Sequence, residues 1–554
     1  MKYSKSHILV ALLISVLLLA GVPVNPVYAS SIIVTNTNDS GVGSLRQALV
    51  DIAPGGTITF DSSLSGATIQ LAATLTLDKN VTIDGSSLAS QVTISGDTDG
   101  NGTGNVRVFD VNHNVTATLN NLAITKGTNR NISSEIGGGG ISNLGTLTVL
   151  NCVFSDNSAD RGGGIFNTDG GTLTVLNSTF AHNSAVTDDG GGIANWNGTL
   201  TITDSAFSYN SAYYAGGGIF NAGTVTTVLN NTFSNNSAIY GGGIANWYVG
   251  IITVTGSTFS NNSSSAYGGG LYINSGTGTV TNSTFSGNTT GLGGGGIYNY
   301  GTLTVRNSTV SGNVATSFGG GIFNDRTLNY TNTLIANSTG GDCVNNLGTV
   351  DTNTKNLVED GGCSAGLSGD PNLGTLASNG GSTQTFALLA GSSAIDAGDD
   401  ASCPITDQRG ISRLQGAHCD IGAYEFENSP TTYDAFADFS PVSNPPSGSP
   451  WMYGYTWTLG GAFDIYTALR HDIDRELSIL WTRPENFITP NVNKNISGVD
   501  IINVDGCILH PAITYLNLHP GQNNEFSVLR WTAPVDGTFR IDSAFKSLRF
   551  CGQA

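Results

Sequence analysis

The segment that decides the fold is residues 162–185, GGGIFNTDGGTLTVLNSTFAHNSA, because close variants of it follow one another over residues 137–337. Each variant has a glycine run ending in Ile-x-Asn, a Gly-Thr-Leu-Thr-Val pattern, and then Ser-Thr-Phe-Ser-x-Asn-Ser-Ala. The period shows in an apolar position that recurs every 24 to 27 residues: Phe154, Phe180, Phe207, Phe233, Phe259, Phe285, Val310 and Leu334. A fixed period in this range is typical of a solenoid, in which each unit buries its apolar face only against its neighbours.

The inside of one repeat indicates the type of solenoid. Residues 145–149 and 301–305 alternate polar and apolar side chains, which predicts strands with one buried face. Glycine runs and β-branched residues disfavour helices. We therefore predict an all-β fold, a parallel β-helix whose coils hold three short strands and stack about 4.8 Å apart. One inner stack is predicted to contain the following residues, with a local gap at Gly278: Leu147, Leu173, Leu200, Val225, Ile252 and Leu303.

Two asparagine series mark corners of the coil. Asparagine tolerates the left-handed backbone of a tight corner, and its amide can bond the amide above and below. Because both series are present in nearly every repeat, we interpret them as structural ladders rather than binding residues. The first series is Asn157, Asn183, Asn210, Asn236, Asn262, Asn288, Asn313 and Asn337. The second series is Asn143, Asn167, Asn195, Asn221, Asn246, Asn299 and Asn324.

The pairing of Gly-Gly-Gly-Ile with Phe-x-x-Asn resembles the repeat of chlamydial polymorphic outer membrane proteins and of bacterial right-handed β-helix repeat proteins. The Phe-x-x-Asn half holds in six consecutive repeats here. The resemblance implies a right-handed parallel β-helix over residues 137–340. It implies much less about activity.

Composition limits the partners, the first residues predict export, and the resemblance implies that the cell is bacterial. The chain has 554 residues, 11% of them charged, and a formal net charge of −19. This acidity disfavours nucleic acid and anionic membranes as partners. Residues 1–29 have the basic start, apolar stretch and small-x-small end of a signal peptide, so we expect a secreted or cell-surface protein with no transmembrane span in the mature chain.

The next segment, residues 30–136, is predicted to hold an N-terminal cap and the first coils. Residues 45–49 predict a helix with Ser44 as its N-cap. Asp97, Asp99 and Asn101 follow the start of a calcium-binding loop, but Val108 occupies the twelfth position, where an EF-hand loop has glutamate. Calcium at these three residues is one interpretation, and a plain acidic turn is the other.

The cysteines fit an oxidising compartment. By proximity in sequence, Cys343 is predicted to pair with Cys363, and Cys403 with Cys419. Cys152 stands where other repeats have serine, which predicts a lone packed thiol.

Residues 341–427 are predicted to hold the last coils and a cap. The runs 370–389, 393–398, 407–410 and 419–425 together resemble the choice-of-anchor Q domain, which closes β-helices in exported bacterial proteins and precedes surface-sorting signals. Its charged residues are interpreted as an ion-paired loop rather than an active site: Asp407, Arg409, Asp420 and Glu425.

Residues 428–450 are predicted to be a linker and residues 451–554 a small β-sandwich. Trp451, Tyr453, Tyr455 and Trp457 alternate along a predicted strand and so share one face, as either a sugar-binding platform or an ordinary core. The module resembles sandwiches appended to exported bacterial proteins, in which the chain continues further, so we expect this domain to be truncated.

Two function classes remain. The first is a non-catalytic, adhesin-like or scaffold protein at the cell surface or outside the cell, with carbohydrate or another envelope component as partner. The alternative is a polysaccharide lyase or glycoside hydrolase acting in the β-helix groove. The repeats lack lysine for proton abstraction, and Asp188 and Asp189 are the only carboxylates we single out as catalytic candidates. We favour the first class, because a catalytic site has to break the symmetry of the repeat.

Overall fold

The computed structural model describes residues 30–129 and 137–427 in full, and the backbone of short strands between residues 451 and 531. The chain divides into two compact units, residues 1–427 and residues 428–554. The predicted signal peptide lies outside the described residues. Among the described residues, no helix is long and apolar enough to cross a membrane.

The first unit is a parallel β-solenoid, as the repeat predicts. Its coils contain four short strands rather than the predicted three, and these stack into four parallel sheets named I to IV here. One coil runs from sheet III through sheets I, II and IV and then through the glycines to sheet III of the next coil. The additional strand, in sheet IV, often has only two residues, which is too short to show an alternating pattern.

The strand bounds are as follows. Sheet I contains Ser31–Val34, Gly56–Phe60, Val81–Asp84, Thr116–Asn120, Thr146–Leu150, Thr172–Leu176, Thr199–Thr203, Val225–Leu229, Ile251–Thr255, Thr277–Thr281, Thr302–Arg306, Thr327–Thr331 and Thr349–Thr354. Sheet II contains Thr68–Gln70, Val92–Ser95, Leu122–Thr125, Val153–Ser155, Thr179–Ala181, Ala206–Ser208, Thr232–Ser234, Thr258–Ser260, Thr284–Ser286, Thr309–Ser311, Leu334–Ala336 and Leu357–Val358. Sheet III contains Leu75–Leu77, Phe109–Val111, Ile141–Asn143, Ile165–Asn167, Ile193–Trp196, Ile219–Ala222, Ile244–Asn246, Leu271–Ile273, Ile297–Asn299, Ile322–Asn324 and Cys343–Asn345. Sheet IV contains Thr128–Asn129, Ser158–Ala159, Ser184–Ala185, Ser211–Ala212, Ser237–Tyr240, Ser263–Tyr267, Thr289–Thr290 and Val314–Ala315.

The core consists of columns of mostly similar apolar side chains stacked coil upon coil. The phenylalanine column of sheet II is fully buried, and neighbouring rings lie 4.5–4.9 Å apart in nearly parallel planes. The column continues through Val310 to Ile335, not to the predicted Leu334, which faces outward in register with Thr309. The prediction was displaced by one residue because Leu334 and Ile335 are both apolar.

The leucine column of sheet I differs from the prediction at two coils. Val225 is exposed, and Thr226 takes the inward position, where its hydroxyl donates to the Asn221 side chain at 2.7 Å. The gap predicted at Gly278 is wrong, because the side chain of Ile273 fills it. A Cβ added to Gly278 would lie 2.8 Å from Ile273 Cδ1. Ile273 stands where most coils have the ladder asparagine.

Both asparagine series form buried ladders, as predicted. The Asn236 side chain donates to the Phe207 carbonyl and to Asn262 Oδ1, each at 2.9 Å, and it accepts from the Asn210 backbone at 3.0 Å. The ladder residues do not adopt the left-handed backbone that we expected of them. In the first series that conformation belongs to the residue before, for example Asn235 and Asn261. The predicted member Asn337 is itself in this conformation and exposed, outside the ladder.

Both ends of the solenoid are covered. The helix Leu45–Asp51 begins after Ser44, whose hydroxyl accepts from the Gln47 backbone, and its apolar face joins the core. At the other end, the 3-10 helix Gly362–Ser364 packs on the last coil, and the Cys363 carbonyl accepts from the Tyr330 hydroxyl at 2.8 Å. A solenoid needs such covers because its terminal coils have no neighbour.

Residues 370–427 return along the side of the solenoid. They contain the antiparallel strands Leu373–Ala377 and Thr385–Leu388 and the 3-10 helix Asp400–Ser402. Gln408 bonds both Thr258 and Thr284, which lie on the outer face of sheet II in neighbouring coils. Outward residues of sheet II are buried there, whereas they are partly exposed in earlier coils. We call residues 370–427 the strap. A further 3-10 helix in the first unit is Ser62–Leu64.

The second unit contains antiparallel strands. Their bounds are Trp451–Thr456, Asp464–Ile465, Ala468–His471, Ser478–Thr482, Asn491–Asn495, Ile501–Ile502, Ile508–His510, Asn517–His519 and Phe526–Trp531. The side chains predicted to form a platform on the first of these strands lie outside the described residues.

Candidate functional site

A group of aromatic side chains lies outside the core, over sheet III. In the Ile-x-Asn strands, the isoleucine and asparagine point inward and the middle residue points outward. In several consecutive coils this outward residue is aromatic although it faces away from the core. We define the aromatic belt by these and neighbouring rings: Trp196, Tyr214, Phe220, Tyr240, Trp247, Tyr248, Tyr267, Tyr272, Tyr298, Phe318 and Phe323.

The inner layer of the belt follows the sheet. Tyr272 and Tyr298 lie in adjacent strands with ring centroids 5.2 Å apart, and Phe323 continues the row at 5.7 Å. These rings are 6–7% exposed. Burial raises the pKa of both tyrosine hydroxyls, and for Tyr298 a hydrogen bond to Asp325 adds to this effect. The inner layer is therefore a firm base rather than a free surface.

The outer layer comes from the links that precede the glycines. Tyr240 and Tyr267 pair in register at the end of sheet IV, and Tyr214 is one coil earlier, with its ring 5.2 Å from that of Tyr240. Trp247 fills the space between layers, 5.6 Å from Tyr240 and 5.2 Å from Tyr272. Because these rings rest on other rings, their conformations are restricted before any ligand binds.

The outer layer is accessible to solvent. Tyr214 is 38% exposed, Tyr248 52% and Phe318 61%, and Trp196, Tyr240, Trp247 and Tyr267 are half-buried. Tyrosine and tryptophan present an apolar face together with a polar group, which suits ligands with both characters. The belt can therefore supply stacking surface and hydrogen bonds together.

Asp188 and Asp189 lie at one end of the belt. Asp188 is paired with the Arg161 guanidinium, which lies over the Trp196 ring at 4.9 Å from its centroid. Asp189 is 3% exposed, and its Oδ1 has no hydrogen-bond partner. Burial, together with the neighbouring Asp188 charge, raises the pKa of Asp189 to about 8. Asp189 therefore keeps its proton at neutral pH, while Asp188 is held as a partner of Arg161.

The proposed calcium loop is largely satisfied by its own hydrogen bonds. The Gly102 backbone donates to Asp97 Oδ2 at 2.8 Å, and Asn101 donates to Asp99 at 2.8 Å. Lys126 lies 3.7 Å from the same Asp97 oxygen. Burial opposes ionisation of Asp97, but these contacts outweigh it and the pKa stays below its ordinary value. Asp97 Oδ1 is buried without a partner, and within the described residues no three His, Cys, Asp or Glu side chains form a metal cluster. Calcium here stays a prediction.

The strap contains the predicted charged residues, and they contact one another. Arg409 pairs with Asp407 at 2.8 Å, and Arg413 pairs with Glu425 at 3.1 Å, with all four side chains at most 3% exposed. Burial raises the pKa of Asp420 to about 6. Their hydrogen bonds run within the strap and to the solenoid, as in Arg413 to Asn282 at 3.1 Å. These contacts hold the strap in place.

The cysteines of the first unit have structural positions. Cys343 is bonded to Cys363 and Cys403 to Cys419, with Cα atoms 5.5 and 6.7 Å apart. The first bond ties the end cover to the last strand of sheet III, and the second lies within the strap. Cys152 is free and buried, and burial raises its pKa to about 12, so the thiol is unreactive at neutral pH.

Only part of the belt can be recognised in the sequence. Tyr213, Tyr214, Tyr240 and Tyr267 stand out in the sequence as exposed polar aromatics. Trp196, Trp247, Tyr272 and Tyr298 do not, because they lie beside the ladder position, where the residue type varies from coil to coil. The signal that would reveal them is an aromatic residue at an outward position in adjacent coils.

The comparisons with known proteins concern the solenoid. The chain is similar to the solved structure titled "Crystal structure of pectate lyase Pel9A", with 15% sequence identity, a TM-score of 0.40, and coverage of 72% of this chain and 97% of that chain. No curated protein matches the sequence. Residues 151–168, 256–274 and 282–300 match the Chlamydia polymorphic membrane protein (Chlamydia_PMP) repeat, and the last two of these segments include the belt residues Tyr267, Tyr272 and Tyr298.

Proposed function

We propose that this protein is an adhesin-like bacterial surface or extracellular scaffold that binds carbohydrate through the aromatic belt without transforming it. The observation that carries the proposal is the belt itself, where rings accumulate outside a core that is already complete. A patch of exposed aromatic surface on a monomer usually marks an interaction site. Tyrosine and tryptophan rings suit pyranose sugars, whose CH faces stack on rings while their hydroxyls bond at the edges.

The repeat match supports the location. The matching repeat is described for polymorphic membrane proteins of Chlamydia, and the predicted signal peptide is consistent with export. We further propose that the strap belongs to a choice-of-anchor Q-like module that precedes the means of surface attachment. Its contacts with the solenoid make it part of the first unit.

The test uses the mature full-length chain and a panel of insoluble neutral and acidic polysaccharides, with pull-down and product analysis on the same samples. We expect retention on neutral polysaccharide without soluble products. The variant Trp247→Ala should reduce retention. Its matched control is Tyr209→Asn, because Tyr209 is 55% exposed but its ring stacks on His182 rather than on a belt ring. Asparagine tolerates the left-handed backbone of Tyr209.

Two results would contradict the proposal. Retention that survives Trp247→Ala but is lost in Trp451→Ala would move the binding face to the second unit. Failure of the chain to bind any polysaccharide would remove carbohydrate as the partner and leave a scaffold for a protein partner.

A second candidate, polysaccharide hydrolysis, is favoured by one observation: Asp189 keeps a proton at neutral pH beside the belt, as a general acid does. Hydrolysis also needs a second carboxylate across the scissile bond. The neighbouring carboxylate, Asp188, immediately precedes Asp189 in the chain and is engaged with Arg161. Reducing ends that appear with the mature chain and disappear with Asp189→Asn would establish hydrolysis and overturn the non-catalytic proposal.

A further inference from the structure

We infer that the belt binds a linear, neutral, extended glycan lying parallel to the solenoid axis, with about one sugar ring per coil. The inference rests on the proposed function, since it specifies the ligand class of the same surface. It is carried by the direction, spacing and charge of the belt.

The first step concerns direction. The belt rings occupy six neighbouring strands of sheet III and the links beside them, from the coil of Trp196 to that of Phe323. Five intervals of about 4.8 Å give a belt roughly 24 Å long. The accessible link rings Tyr214, Tyr240 and Tyr267 follow one another from coil to coil along the axis. A ligand that uses most of the rings must therefore run along the axis.

The second step concerns spacing. Successive rings along the axis are 5.2 Å apart from Tyr214 to Tyr240 and 6.3 Å apart from Tyr240 to Tyr267. After Tyr267 the link has Gly293, which has no ring, and in the coil after that Phe318 takes the corresponding position and is 61% exposed. An equatorially linked pyranose chain advances by about one ring length per sugar, which is comparable to this interval. A coiled or branched glycan follows a straight row of rings over only a few coils.

The third step concerns charge. The two arginines beside the belt are both engaged: Arg161 pairs with Asp188, and Arg326 lies over the Tyr300 ring and donates to its hydroxyl at 2.9 Å. The whole chain has a formal charge of −19. A polyanionic glycan would meet repulsion from this net negative charge, which the exposed guanidinium of Arg326 offsets only in part. A neutral glycan avoids this cost.

One end of the belt is built differently. There Trp196 Nε1 and Asp189 Oδ1 are both buried without hydrogen-bond partners. Unpartnered buried polar atoms are rare, and a ligand hydroxyl is one group that would satisfy them. This end can therefore receive the last sugar of the bound segment, where rearrangement of the Arg161 side chain would open it.

The experiment is calorimetric titration of the mature chain with β-1,4-linked gluco- and xylo-oligosaccharides from disaccharide to octasaccharide. Curved α-1,4-linked gluco-oligosaccharides and anionic oligogalacturonates serve as comparison ligands. We expect affinity for the β-1,4 series to rise at least about tenfold from disaccharide to hexasaccharide, as further rings are contacted, and then to level off. The α-linked and anionic series should bind more weakly at every length.

Two variants locate the chain along the belt. Tyr240→Ala, in the middle, should weaken binding of all lengths by about two- to tenfold. Tyr214→Ala, nearer one end, should weaken only the longer oligosaccharides. Tyr209→Asn is the matched control, and circular dichroism of each variant checks the fold.

The outcomes separate the two proposals. Polysaccharide retention with no length dependence, or with equal loss in both variants at every length, would overturn the axial arrangement and leave the proposed function intact. A preference for oligogalacturonate would contradict only the inference that the bound glycan is neutral. The absence of binding to any glycan, with chains that pair through the belt in sedimentation measurements, would overturn both and identify a second copy of this chain as the occupant.

Discussion

The phenylalanine column inside the solenoid and the aromatic belt outside it are both stacks of rings, one coil upon the next. Inside, the planes differ by at most 12° and the same residue recurs in six coils. Outside, planes differ by up to 70°, and tryptophan, tyrosine and phenylalanine replace one another. The regular column is what a solenoid requires of every coil. The irregular belt is not required by the fold, so it is the better candidate for function.

The largest effect is expected where the regular column is interrupted. Phe233→Ala leaves a cavity between two stacked rings in the middle of the solenoid. The free energy of unfolding of the first unit should fall by about 3–5 kcal/mol, because a buried phenylalanine loses both its transfer energy and its contacts. Urea unfolding followed by circular dichroism measures the loss. Phe233→Leu, which refills most of the volume, should recover the greater part of it, and a loss below about 1 kcal/mol would show that coils can collapse independently.

Gly278 and Ile273 provide a smaller and more specific test of regularity. Here one coil has lost both its leucine and its ladder asparagine, and each change compensates for the other. Gly278→Leu alone should clash with Ile273, and Ile273→Asn alone should leave a void. The double variant restores the ordinary pair, so we expect it to be more stable than the sum of the single effects predicts, by about 1–3 kcal/mol. Additive losses in a double-mutant cycle would mean that the two positions are not coupled.

How much the sequence could predict depends on whether a feature repeats. The solenoid, the phenylalanine column, both ladders and the helix after Ser44 follow from pattern alone. The predictions of Val225 and Leu334 as inward residues were wrong by one position. Thr226 stands next to Val225 and a second apolar residue next to Leu334, and alternation does not distinguish the two registers. The space at Gly278 is filled by the branched side chain of Ile273, which lies in another sheet. The path of the strap is set by single contacts such as Gln408 with Thr284, for which the sequence has no periodic signal.

The same reasoning explains the incomplete prediction of the site. An outward aromatic residue is unremarkable in one coil and becomes a surface only when neighbouring coils place rings beside it. That neighbourhood depends on which way the middle residue of Ile-x-Asn points and on how the links turn back over sheet III. Asp188 and Asp189 could be chosen because charge is rare in the repeats. The sequence does not show that Asp189 is buried and keeps its proton while Asp188 pairs with Arg161.

Asp189 gives a pH-dependent test at the boundary between the two regions. The pKa of its carboxyl is about 8 in the folded protein and near the ordinary 3.8 when unfolded. The contribution of this carboxyl to the free energy of unfolding is therefore fully present below about pH 4 and is lost as the pH rises toward 8. Between about pH 7 and pH 8 we expect a loss of about 1 kcal/mol in the free energy of unfolding. Asp342 and Asp420 have pKa values of about 6, so higher pH isolates Asp189.

The control for this test is the neighbouring carboxylate. Asp189→Asn should flatten the profile above about pH 7, where Asp342 and Asp420 are already largely ionised. Asp188→Asn removes a charge that raises the Asp189 pKa but not the burial that contributes most, so the slope should shift to lower pH without disappearing. Equal profiles for the wild-type chain and Asp189→Asn would show that this carboxyl is ionised in the folded protein.

The smallest effect on stability is expected in the belt, where one variant can be measured for both stability and binding. Tyr248 is half exposed and has a left-handed backbone, which asparagine also adopts. Tyr248→Asn should change the free energy of unfolding by less than about 0.5 kcal/mol, as exposed substitutions usually do. The same variant should weaken retention on neutral polysaccharide about two- to tenfold, because it removes one accessible ring. Inside the solenoid a ring supports folding, whereas this ring would support binding alone. A variant that loses stability and keeps binding would mean that the belt is a second core, packed over sheet III to protect it.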